Sequence, residues 1–202
     1  EFCDVFCEEH VFTVEESRTI LSRAKELGYG IKMHADEIEA TGGAELAAEL
    51  GAVSADHLAR TGDAGIAALA KSGTVAVLLP GTSFYLRLAA HAPARKMIEA
   101  GVPVALATDL NPGSCLTESM PMILTLACLQ LGMTPAEAIV AGTINAAYAV
   151  GRGDDRGSLE VGKRADLVVW DVPNWEYLPT HFGVSLVESV IKDGRVVYRR
   201  SA

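Results

Sequence analysis

The chain has 202 residues, 50% hydrophobic and 21% charged, enough to bury one large core or two small ones. Its 17 Lys and Arg against 26 Asp and Glu give a formal charge of −9, which argues against nucleic acid, whose phosphates reward a basic patch, and against anionic membranes. No apolar run reaches the roughly 18 residues of a membrane span, and Glu1-Phe2-Cys3-Asp4 reads neither as a secretory leader nor as a start at methionine, so the sequence is expected to open within a longer protein.

Short apolar runs alternate with helical stretches. Phe2 to Phe6 reads as a strand. Glu15 to Leu27 reads as a helix, because Ile20, Leu21, Ala24 and Leu27 share one face and Gly28 follows as a stop. Gly30 to Ala35 is a strand. Thr41 is placed to cap a helix over Ala44 to Leu50, which Gly51 ends. Ala52 to His57 is a short strand, Gly62 to Lys71 a helix, and Thr74 to Leu79 a strand apolar enough to be buried on both faces. Pro93 to Ala100 is a helix and Val102 to Thr108 another apolar strand. Glu118 to Leu131, Pro135 to Ala141 and Asn145 to Val150 follow as successive helices. This alternation is the pattern of βα units on a parallel sheet. So few strands cannot close an eight-stranded barrel; a doubly wound open sheet and a truncated barrel both fit. From about Gly157 the style changes. Leu167 to Trp170, Val187 to Ile191 and Val196 to Tyr198 are strands, and Lys192-Asp193-Gly194-Arg195 is a hairpin turn. Residues 1–150 therefore read as one α/β part and 151–202 as a small antiparallel one, too small to be secure alone.

His34, His57 and Asp109 fall at the carboxyl ends of three predicted strands, the rim where parallel α/β proteins build their sites. Alternation puts Ala105, Ala107 and Asp109 on one face against Val104 and Leu106, and Lys32 and His34 opposite Ile31 and Met33. Two imidazoles and a carboxylate on one rim suit a divalent ion such as Zn²⁺ or Fe²⁺. Each histidine alone reads equally well as a hydrogen-bonded strand-end residue. Glu37 lies three residues after His34 and reads either as an acid that orients substrate or moves a proton, or as a solvated neighbour of Asp36 and Glu39. Asn111-Pro112-Gly113 forces a tight turn after a buried strand. That turn is expected to leave backbone N–H groups and the side chains of Asn111 and Ser114 free to hold a carboxylate or a polar ring, or else merely to start the next helix. His10, His91 and His181 read as surface residues, with His91 the one able to approach the rim. Lys163-Arg164-Ala165-Asp166 reads as a solvated turn. Cys3, Cys7, Cys115 and Cys128 form no metal-knuckle spacing and read as reduced thiols.

Three segments resemble the imidazolonepropionase family of amidohydrolases: Lys32-Met33-His34-Ala35-Asp36-Glu37, Ser54-Ala55-Asp56-His57-Leu58 and Ala107-Thr108-Asp109-Leu110-Asn111-Pro112-Gly113-Ser114. Val161-Gly162-Lys163-Arg164-Ala165-Asp166-Leu167-Val168 resembles the stretch where amidohydrolase chains re-enter a small β-domain. The Asp-Leu-Asn-Pro-Gly-Ser turn is the most specific of these. The resemblance implies the C-terminal part of a (β/α)₈ TIM-type barrel carrying strands of a small β-sandwich, with one Zn or Fe ion. It implies His34 and Asp109 as metal ligands and His57 beside the metal, acting on the carbonyl or moving protons. It implies Glu37 in contact with the imidazolone ring, and Asn111, Gly113 and Ser114 lining the substrate pocket. The reaction implied is hydrolysis of the cyclic amide of 4-imidazolone-5-propanoate to N-formimidoyl-L-glutamate, a step of histidine degradation, by a cytoplasmic homodimer. The chain departs from the family at one point: the His-x-His pair of the first barrel strand is not in these residues. The 202 residues alone are therefore expected to be inactive. A related ring hydrolase or deaminase, and a silent half-barrel that serves association, are the alternatives.

Overall fold

The structure, a computed structural model, describes residues 1–201; Ala202, the last residue of the expected small β unit, lies outside them. Five parallel strands form one sheet: β1 (Phe2–Cys7), β2 (Gly30–Ala35), β3 (Ser54–His57), β4 (Val75–Leu78) and β5 (Val104–Leu106). Their spatial order is β1-β2-β3-β4-β5. A doubly wound sheet reverses direction at a switch point; this one runs sequentially, so that alternative falls. Among the described residues no strand pairs with the outer edges of β1 and β5, apart from a single bridge between Cys7 and Phe12.

The two faces of the sheet differ as alternation predicts. Val5, Ile31, Met33, Ala55, Ala76, Leu78, Val104 and Leu106 join the main core. That core includes residues of α1 (Val14–Glu26), α2 (Gly43–Leu50), α3 (Asp63–Ser72) and α5 (Ala94–Glu99). On the opposite face Val75, Val77, Leu79 and Ala105 form a smaller cluster with Ala149 of α8 (Ala146–Ala149). Covering such strands on both sides is why they read as continuous apolar runs.

One helix between β4 and β5 was not legible: α4 (Pro80–Tyr85) begins directly at the strand end, with Pro80 in its first turn. After β5 come α6 (Met120–Gln130) and α7 (Pro135–Val140). A π turn over Ala141–Asn145 joins α7 to α8, so the last two predicted helices are one continuous run. Asn145 Nδ2 in that turn donates to the Val104 carbonyl at 2.8 Å, fixing the run against the start of β5.

The expected Thr41 cap is not formed. Gly42 is the N-cap of α2, in the left-handed conformation with φ 89 and no capping side chain. The buried carboxylate of Asp36 serves instead, accepting from the backbone N–H groups of Thr41, Gly42, Gly43 and Ala44. Thr41 and Thr61 donate their hydroxyls to the same carboxylate. A side chain from the preceding strand end thus satisfies the orphan amides that a cap residue usually takes.

A second sheet of three antiparallel strands, β6 (Leu167–Trp170), β7 (Val187–Lys192) and β8 (Arg195–Arg199), follows. Asp193 and Gly194 both have positive φ, 48 and 75, the geometry of a two-residue hairpin. The Lys163–Asp166 turn is tied down rather than free. Arg164 pairs with Asp155 and Asp193, and Asp166 accepts from Lys192 Nζ and the Asp193 amide.

Candidate active site at the carboxyl ends of the parallel strands

Consecutive parallel strands bring residues that are far apart in sequence to one edge of the sheet. His34 ends the inner face of β2, His57 closes β3, and Asp109 follows β5. Asp36, His57, Leu58 and Asp109 all hold positive φ, at 50, 75, 60 and 55. A left-handed leucine or histidine costs about 1 kcal/mol or more, and such strain gathers where a site demands it.

The rings of His34 and His57 lie 5.3 Å apart between centroids. His57 is buried, with its Nε2 4.0 Å from Asp109 Oδ2 and its Nδ1 3.4 Å from Glu37 Oε1. Burial pushes the His57 imidazole down to about 4, against the pull of the Asp109 charge. The ring is therefore neutral at pH 7, with one nitrogen to donate and one to accept. The Glu37 side chain is 11% exposed, which removes the solvated-acid reading. Burial first, and then repulsion from Asp109, hold its carboxyl above the ordinary range.

His34 is oriented from below. Its Nδ1 lies 3.2 and 3.1 Å from the two oxygens of Asp4 on β1. That hydrogen bond raises the His34 pKa against its partial burial. With Nδ1 facing Asp4, Nε2 is the nitrogen left for a ligand. Asp56 sits beside this pair, with ligand atoms of Asp4, His34 and Asp56 all within 4.8 Å of one another. We read this group as support for His34 and not as a second ion site. Asp56 already accepts from Ser54 Oγ at 2.7 Å, and Lys32 Nζ donates to Ser54 Oγ and to the Ala149 carbonyl. A cavity of about 330 Å³ opens over this layer, lined by Lys32, His34, Asp56, Val77, Ala107 and Asp109. One imidazole and one carboxylate facing a common cavity are a donor set that fits Zn²⁺ or Fe²⁺.

The turn after Asp109 differs from expectation. Asn111 Oδ1 accepts from the Gly113 and Ser114 amides at 2.9 and 2.8 Å, and its Nδ2 donates to the Asp109 carbonyl and to Ser114 Oγ, both at 2.8 Å. The side chains of Asn111 and Ser114 are thus spent on the turn and not free at the rim. An Asn two residues ahead of a turn amide closes an Asx turn on itself. The histidines outside the site also differ in part. His10 and His181 are exposed, but His91 is half-buried, with Nδ1 enclosed and no partner among the described residues.

Besides Asp4, which orients His34, two residues went unread. Glu8 follows β1 and is 2% exposed; its carboxylate accepts from the amides of Glu9, Glu37, Ile38 and Glu39. It pins the segment that carries Glu37. Its place at a strand end, like those of His34 and His57, was the available signal. The other is Thr82 in α4, whose hydroxyl donates to Asp109.

A parallel α/β sheet whose carboxyl rim gathers imidazoles and carboxylates around a cavity has them where parallel α/β proteins build their sites. Residues 2–198 match the amidohydrolase family, and the chain belongs to it. Over 200 residues it is 56% identical to the imidazolonepropionases of Bacillus mycoides (strain KBAB4) and Bacillus cereus (strain B4264), covering 99% of this chain and 47% of each relative. The chain thus spans about half the length of the curated relatives it matches. Among solved structures, an adenosine deaminase from Xanthomonas campestris with bound zinc superposes with a TM-score of 0.77 at 23% identity, covering 93% of this chain and 49% of that one. A mutant atrazine chlorohydrolase from Arthrobacter aurescens TC1, complexed with zinc and atraton, gives 0.76 at 19% identity over 97% of this chain and 50% of that one. At such identities these likenesses speak for the fold alone.

Proposed function

We propose that the chain is the C-terminal half of an imidazolonepropionase, which opens the ring of 4-imidazolone-5-propanoate to N-formimidoyl-L-glutamate. The observation that carries this reading is the convergence of Glu37, His57 and Asp109 on one rim, in a chain 56% identical to imidazolonepropionases over 200 residues. On this reading the five-stranded sheet is an arc of a (β/α)₈ barrel, and β6 to β8 belong to a small β-sandwich. Free cysteines at positions 3, 7, 115 and 128 suit a reducing cytoplasm.

His34 through Nε2 and Asp109 through its carboxylate would hold one Zn or Fe ion. When bound, the ion supplies Lewis acidity toward the ring carbonyl and makes water acidic enough to attack at neutral pH. Asp109 takes the proton that the attacking water gives up. His57, kept neutral by burial, carries a proton between Asp109 on its Nε2 side and the substrate. Glu37, with its raised carboxyl, hydrogen-bonds the ring nitrogen and steadies His57 through Nδ1. The C–N bond of the cyclic amide breaks, the carbonyl carbon becomes a carboxylate, and the freed nitrogen takes the proton that His57 carries and stays attached as the terminal nitrogen of the formimidoyl group. Asn111, Gly113 and Ser114 shape the pocket wall through the closed turn.

Glu37→Gln separates chemistry from metal binding. In the full-length enzyme we expect turnover to fall by about a hundredfold or more, with metal content unchanged, as read by steady-state kinetics beside elemental analysis. Metal lost in step with activity would place Glu37 among the ligands instead.

A further inference from the structure

We propose that Thr82 is a positioning residue for Asp109: its hydroxyl occupies Oδ2 and so presents Oδ1 to the ion. The inference rests on the reading of Asp109 as a ligand. Thr82 is 0% exposed and lies 27 residues before Asp109, yet Oγ1 donates to Asp109 Oδ2 at 2.5 Å. Among the described residues no donor reaches Oδ1.

This hydrogen bond is not the ordinary habit of a helical threonine. Thr19, Thr125 and Thr143 each donate to the backbone carbonyl four residues back. Thr82 sits in the first turn of α4, where the carbonyl four residues back belongs to the end of β4, and its hydroxyl turns to Asp109 instead.

The preceding residues explain how it reaches that far. Pro80 starts the helix with only Leu79, its N-cap, between it and the end of β4. Gly81 packs under α6 and the turn after β5: a Cβ there would crowd the side chains of Ile123 (Cδ1 at 2.8 Å) and Cys115 (Sγ at 3.0 Å), while the Thr108 carbonyl oxygen at 3.5 Å would be in ordinary contact. The missing side chain lets α4 pack against these two residues, beside the strand end that leads to Asp109. Pro80-Gly81-Thr82 therefore works as a unit that delivers one hydroxyl to one carboxylate oxygen. Carboxylate ligands are commonly fixed by such a second bond, and losing it typically costs about 10- to 100-fold in metal affinity or activity.

The test is made in the full-length enzyme with Thr82→Val, which keeps the shape and removes the donor. We expect zinc affinity, measured by competition with a chromophoric chelator, to fall about 10- to 100-fold. kcat should fall with it and KM change little. Thr82→Ser keeps the hydroxyl and is expected to stay near wild type, while Thr82→Ala is expected to behave like Val. If Val fails to fold, the Ser and Ala pair carries the comparison, since they differ only by the hydroxyl oxygen. Asp109→Asn runs alongside. If Asp109→Asn loses metal while Val, or Ala in its place, retains wild-type affinity and kcat, the Thr82 proposal is overturned and the ligand reading survives. If Asp109→Asn keeps full metal affinity, both fall together.

Discussion

Asp109→Asn in the full-length enzyme is expected to lower turnover by about a thousandfold or more. The substitution keeps size and shape but removes the negative charge and turns one oxygen into a donor. Three features of the site depend on that charge. Asp109, the proposed ligand, faces the cavity it shares with His34. It is the acceptor for Thr82 Oγ1. It is also the anion beside His57 Nε2, 4.0 Å away, that opposes the fall of the His57 pKa. An amide nitrogen turned toward Thr82 would reverse that hydrogen bond and offer the ion an uncharged oxygen, and one turned toward the cavity would repel the ion. Either arrangement disables the residue both as ligand and as proton acceptor. Steady-state kinetics with metal analysis are the check. Activity within tenfold of wild type, at unchanged metal content, would remove Asp109 from the mechanism.

The second large effect concerns the 202 residues on their own. They supply His34 and Asp109, with His57 nearby, whereas a catalytic zinc site typically uses three protein ligands and keeps one position open. No His-x-His pair is present to complete the set. We expect the isolated chain to bind Zn²⁺ or Fe²⁺ at least about a hundredfold more weakly than the full-length enzyme, with no measurable ring opening. The edges of β1 and β5, which no further strand covers among the described residues, should drive self-association. A sizing column and a metal titration read both effects. A monodisperse monomer holding one tight metal and opening the ring would contradict the half-site reading.

Much of this site was legible because strand periodicity is short and strict. Alternation alone set Lys32 and His34 opposite Ile31 and Met33, and Ala105 opposite Val104 and Leu106, as the two clusters of the sheet have it. The strand ends then brought His34, His57 and Asp109 to one rim. Spacing could not decide what each polar group is already bonded to. Asn111 and Ser114 read as free, yet the turn consumes them. Thr41 read as a cap, yet Asp36 takes that role from the strand end. These are competitions between local and longer-range partners, and sequence separation does not rank them. α4 was missed because six residues beginning with Pro-Gly carry too little periodicity to register, and Thr82 was missed with it. The order of the strands was out of reach for a different reason. Near-identical apolar runs such as Val75–Leu78 and Val104–Leu106 carry no label for their neighbours.

The most direct measurement is product analysis of the full-length, metal-loaded enzyme given 4-imidazolone-5-propanoate in water enriched in heavy oxygen. The account predicts that the product gains the mass of one water, carries the heavy oxygen in its new carboxylate, and forms without release of ammonia. A ring-opened product without the heavy oxygen in its new carboxylate, or no consumption of this substrate by folded, metal-loaded enzyme, would contradict the account.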